Sequence, residues 1–130
     1  MRVEPRIPTM DRTNPSTPGK TIMHLRIVTF DLDGIDAEQN RPAAEAMAPK
    51  FAAWPGLVSK IWIADETFRK LGGVYLFADR AAADASRRSE EFLAVASNPH
   101  FADLRIEEFT VLDDLTAVTG GPLAETVGRS

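Results

Sequence analysis

Three observations predict an α+β fold. Two β-rich runs, Leu57–Ala64 and 74–77, flank the polar connection Asp65, Glu66, Thr67, Arg69 and Lys70, as the strands of a hairpin do. A helix signal lies on each side of that hairpin. A further β-rich run stands outside each helix, at 21–32 and at 104–113. The order β-α-β-β-α-β is the split pattern of a ferredoxin-like domain, with two helices on one face of a four-stranded antiparallel sheet.

The first 20 residues hold four of the nine prolines, Pro5, Pro8, Pro15 and Pro18, among polar residues. Such a composition buries too little surface to offset the entropy of ordering it, so residues 1–20 are expected to form a flexible arm. In the run 21–32, Val28, Phe30 and Leu32 alternate with Ile27 and Thr29. Apolar residues on both faces suggest a strand inside the sheet or at a subunit contact. Asp33-Gly34 marks a turn, Asp36 or Asn40 can cap the next helix, and Pro42 suits its first turn. That helix is expected to reach about Ala53, kinked at Pro49 and ended by Pro55-Gly56.

In the hairpin, Gly72-Gly73 permits a bulge or a close backbone approach. Asp79 caps a second helix that runs from Arg80 to the break at Asn98-Pro99, with Arg87, Arg88, Glu90 and Glu91 on a solvated face. The last strand is expected over 104–113, with a phase slip near Glu107 and Glu108 that hints at a bulge. The domain is placed at 21–118 and a loose, glycine-containing tail at 119–130. The sheet face away from the helices keeps Val, Ile, Phe and Trp side chains. A second copy laying its own sheet there would bury it, so a symmetric homodimer is expected.

Bulk properties remove several functions. A chain of 130 residues suits one domain with a real core. The formal charge of −4 is spread without a basic stripe, which argues against nucleic acid as a partner. With no cysteine there is no thiol catalysis, cysteine–zinc site or disulfide, and the chain fits a cytoplasmic location. No apolar run approaches the ~20 residues of a membrane span. The start has Arg2 but no apolar segment of the secretory kind.

Few residues invite chemistry. The run Ile27-Val28-Thr29-Phe30-Asp31-Leu32-Asp33-Gly34 resembles the nucleophile strand of the haloacid-dehalogenase phosphatases. We reject it, because Ile35 stands where that family has Thr or Val, and the hairpin contradicts a doubly wound sheet. His24 and His100 are the only histidines, too few and too far apart in sequence for a metal site. Lys60, Trp62 and Ala64 share one strand face, and Tyr75 and Phe77 share one face of the next strand. Trp62 and Tyr75 can wall a pocket, with the indole N–H and phenol as polar handles. A buried Lys60 would need a partner such as Glu66 or a first-strand acid.

Pro55-Gly56-Leu57, Lys60-x-Trp62, and Gly72-Gly73-Val74-Tyr75-Leu76-Phe77-x-Asp79 together resemble the YdhR-type monooxygenase family. The likeness covers residues 22 to about 125 and leaves the proline-rich arm outside. It implies a dimeric α/β barrel with a cavity for a small apolar or aromatic molecule, and oxidation without metal or flavin. On that reading Trp62, Tyr75 and Phe77 contact the substrate, Lys60 stabilises its anion, and His24 or Glu66 is the base. A non-redox isomerase or decarboxylase on the same barrel, and a dimeric ligand-binding protein without catalysis, are the competing readings.

Overall fold

The computed structural model describes residues 22–120; the expected 1–20 arm, and the expected tail from residue 121 on, lie outside the described residues. The elements are β1 (His24–Leu32), α1 (Ala37–Ala52), β2 (Leu57–Ala64), β3 (Lys70–Phe77), α2 (Arg80–Ser86), α3 (Glu90–Ser97), β4 (Phe101–Thr110) and α4 (Asp113–Val118). The sheet order is β2-β3-β1-β4, and each neighbouring pair is antiparallel. This is the ferredoxin-like arrangement that the sequence predicts.

Alternation sorts the side chains. In β1, His24, Arg26, Val28 and Phe30 are buried, while Leu25, Ile27 and Thr29 between them are only partly so. The buried set meets Phe51, Trp54, Tyr75, Phe77 and Ala83 to form the core between sheet and helices. Phe101 stacks on Phe30 with ring centroids 3.9 Å apart. The other face presents Leu25, Ile61, Val74, Leu76 and Phe109 around one apolar groove. It carries no tryptophan, contrary to expectation: Trp54 and Trp62 both stand against Phe51, on the helix side.

Helix α1 starts at a capping box. The Asp36 carboxylate accepts from Gln39 N–H, and the Gln39 side chain accepts from Asp36 N–H, both at 2.8 Å. Asn40, the alternative cap, lies inside the helix, which continues through Pro49 to Ala52.

The long second helix of the sequence reading is two helices. Ser89 Oγ accepts from Phe92 N–H and starts α3, while Ser86 Oγ, at the end of α2, is taken up by Ala83 O and Arg26. Serines that bond to backbone compete with helix continuation, and here they win. The last strand also begins earlier and ends earlier than expected. Its irregularity lies opposite 29–31 rather than at 107–108. Asp103, at φ 54°, is the residue that absorbs it. The extra residue changes parity, so that Phe101 and Leu104 both pack against the core.

Candidate functional site

The side chains with chemical potential gather where β2, β3 and the end of α1 meet. Lys60 pairs in register with Tyr75, and Trp62 with Gly73. Gly73 leaves a notch, since a Cβ there would stand 2.7 Å from Lys60 Cε. The lysine stem fills the notch, and Nζ lies 3.5 Å from the Phe51 ring centroid, 3.6 Å from Trp62 and 4.6 Å from Tyr75. Phe51 meets Trp62 and Tyr75 edge-on, with centroids 5.8 and 5.9 Å apart. Behind this ring box, Trp54, Tyr75 and Phe77 stack in near-parallel planes. Trp54 is fixed by its Nε1, which donates to Glu91 Oε1 at 2.8 Å. Trp62 is 46% exposed and forms the mouth.

Opposed forces act on the lysine. Burial pulls Lys60 down to about 7, because an ammonium loses its water there. The three ring faces favour the charged form. No carboxylate pairs with Lys60 among the described residues, contrary to the partner expected from sequence. Asp31, the first-strand acid, bonds Lys70 instead at 2.7 Å. Glu66 is exposed in the hairpin turn, past the end of β2, and about 13 Å of strand already separates Lys60 from Ala64. Burial pushes the Tyr75 phenol up to about 12, with the charge of Arg26 working against it.

His24 belongs to a second cluster. Its Nε2 lies 2.7 Å from Glu108 Oε1, while Arg26 Nε and Arg87 Nη1 both donate to Glu108 Oε2 at 2.9 Å. Arg26 is 1% exposed, and its remaining nitrogens donate to Ser86 Oγ and Ala83 O at 2.8 Å. Burial works to raise the Glu108 carboxyl, but hydrogen bonds from His24 and Arg26 and the Arg26 charge outweigh it and hold the group below its usual range. Two strand spacings and two residues of register separate His24 from Lys60, about 12 Å at the backbone.

The structure thus brings Lys60, Trp62 and Tyr75 together. Phe77 extends the stack but is 0% exposed, beneath the Arg26 guanidinium. His24 lies in its own cluster, and Glu66 in neither. Sequence reasoning missed Phe51 as the third wall of the box, and Arg26 and Glu108 as a buried pair. The one available signal for the pair was Arg26 standing two residues from His24 on the same face of β1. The slip expected near Glu107 and Glu108 hid Glu108, which in fact keeps the parity of Leu104 and Ile106.

Two cavities flank the sheet. The one beside Tyr75, between Phe51, Phe92 and Leu104, measures about 10 Å³, room for no more than a water. The larger, about 480 Å³, opens on the other face among Leu25, Ile61, Leu76, Phe109, Leu112 and Leu115. The sheet lies between it and Lys60. Among the described residues no three His, Asp or Glu side chains could hold one metal ion. No described helix is long and apolar enough to cross a membrane.

The resemblance extends to whole-chain comparisons. The model of the family described as "Putative mono-oxygenase ydhR" matches residues 25–122, more than half of the chain. No curated protein matches. Among solved structures, one described as a "Putative antibiotic biosynthesis monooxygenase" from Nitrosomonas europaea aligns with TM-score 0.61 at 13% identity, covering 72% of this chain and 93% of that one. Protein SO0527 from Shewanella oneidensis aligns with TM-score 0.60 at 14% identity, covering 71% and 93%. SnoaB, a cofactor-independent oxygenase from Streptomyces nogalater, aligns with TM-score 0.58 at 14% identity, covering 70% and 94%. At these identities the solved structures establish the fold alone.

Proposed function

Because the chain belongs to the ydhR mono-oxygenase family, we propose that it is a cofactor-independent monooxygenase acting on a small aromatic or polyketide-like molecule. The observation that supports this most directly is Lys60, a cation without a carboxylate partner among the described residues, walled by Phe51, Trp62 and Tyr75. A flat substrate would stack on the open side of Trp62 and lay its enolisable ring beside Lys60 Nζ. The substrate supplies the electrons. Loss of a proton from an anthrone methylene leaves an enolate, which reduces dioxygen and joins it as a peroxide. A second C–H proton then leaves as the O–O bond breaks, giving a ketone and one water. The protein holds the ring, and Lys60 stabilises the enolate oxygen.

We also propose a homodimer that closes the barrel, supported by the apolar face of Leu25, Ile61, Leu76 and Phe109. A cysteine-free chain fits the reducing cytoplasm.

Metal-free protein is expected to take up oxygen with an anthrone and release the anthraquinone. Trp62→Ala should slow the reaction about tenfold, through loss of ring contact. No oxygen uptake by the wild type would overturn the reading. The groove of about 480 Å³ on the opposite face favours a second reading, a dimer that holds an apolar molecule without changing it. That protein would be stabilised by the ligand in a thermal melt and would release it unaltered.

A further inference from the structure

The reaction needs a base at the ring box, and the two groups that the sequence nominated are placed elsewhere. Glu66 is exposed beyond the strand end, and His24 is held by Glu108, a carboxylate that also takes Arg26 and Arg87. Around Lys60, α1 presents Phe51, β2 presents Trp62 and β3 presents Tyr75. Only Tyr75 among these three can ionise, and burial, which pushes it up to about 12, keeps it a phenol near neutral pH, able to donate a hydrogen bond but not to take a proton. The further charge that bears on Tyr75 is Arg26, already committed to Glu108, Ser86 and Ala83.

We propose that Lys60 is itself the general base of this site, taking the acidic proton of an enolisable aryl ketone or a phenol and then serving as counter-ion to the anion it has made. The inference rests on reading the ring box as the reacting site. In the step, the Nζ lone pair forms the new N–H bond, and the electron pair of the broken C–H or O–H bond stays on the substrate. The ammonium remains among the three ring faces, which favour its charge. The amine is available for this near neutrality, since burial lowers Lys60 to about 7. The absent side chain at Gly73 gives the stem its course past Tyr75.

The test is deuterium exchange at the anthrone methylene without oxygen, followed by mass spectrometry. Wild type should exchange about a hundredfold faster than Lys60→Met, the lower end of what a placed base contributes. Its rate should rise as pH passes about 7, where the amine loses its proton. Lys60→Arg keeps the charge and cannot act as a base. It should still bind 4-nitrophenol as the anion, seen by absorbance, while losing the exchange. Either variant exchanging at the wild-type rate, or wild type exchanging no faster than buffer, overturns the proposal. So does a wild-type rate that is flat across neutral pH, which needs no variant to fold. Oxygen uptake that survives Lys60→Met sinks the base and leaves the oxygenase. Lysine-dependent exchange without oxygen uptake does the reverse.

Discussion

Arg26 is a buried cation and Lys60 a half-buried one on the same side of one sheet, and their surroundings give them different properties. Arg26 is matched donor for acceptor, by Glu108, Ser86 and Ala83. Among the described residues Lys60 has only ring faces. Its pH effect on stability has a definite sign. The unfolded chain keeps this proton up to the ordinary 10.5, and the folded chain releases it near 7. Between those values the unfolded state binds more protons, so folding stability rises with pH through that window. Lys60→Met should therefore be stabilised relative to wild type most at about pH 6 and least at about pH 10, as urea denaturation at the two ends would measure. A wild-type-minus-variant difference that does not change with pH would refute it. The pairing of Lys60 with Trp62 was legible as alternation along a strand. Its isolation from acids was not, because Asp31 and Glu66 are near in sequence and the fold uses one for Lys70 and leaves the other in a turn.

The hairpin of β2 and β3 shows how adjacent glycines come to do different work. At Gly72 a Cβ would stand 2.0 Å from the Val28 carbonyl oxygen, which is backbone and bonded into the sheet. At Gly73 it would meet the far end of the Lys60 side chain, which can swing away. Gly72→Ala should therefore lower stability by about 3 kcal/mol in a urea melt, as overpacking against an immovable neighbour does. Gly73→Ala should cost much less stability and slow anthrone turnover by dislodging the amine. Equal stability losses would mean that the two positions have been misread. The element order and the hairpin were visible in the sequence because alternation and turn residues agree locally. The break between α2 and α3 was not. It depends on Ser86 bonding to Arg26, a residue 60 positions away. Nor was the bulge, which depends on one left-handed aspartate.

At the scale of the whole molecule, the sheet separates two surfaces of different character. One carries the Arg26–Glu108 cluster and the aromatic box beneath helices. The other is apolar at one end, around Leu25, Leu76, Phe109 and Ile61, the last 59% exposed on the edge strand, with α4 along the rim; its other end carries the Asp31–Lys70 pair, Arg105 and Glu107. The need for cover on that face could be read from apolar residues on both sides of β1. If a twin sheet supplies it, Ile61→Lys should convert the sedimentation profile from dimer to monomer, since an unpaired charge would be buried in the apolar contact. A wild-type protein that sediments as a monomer at micromolar concentration would refute the assembly. The tryptophan on the wrong side of the sequence reading shows why side assignment fails for a β2 residue. Its register is shifted between Leu57 and Ser59, and a one-residue slip exchanges faces.

The unequal surroundings of the two indoles have a practical consequence. Trp54 is sealed, and its N–H is committed to Glu91. Trp62 borders solvent against a lysine. Fluorescence should therefore contain a blue, quencher-resistant component that follows unfolding and a red, acrylamide-sensitive one that follows whatever settles on the box. The molecule carries its own pair of optical reporters, and a guest could be counted in without attaching a dye.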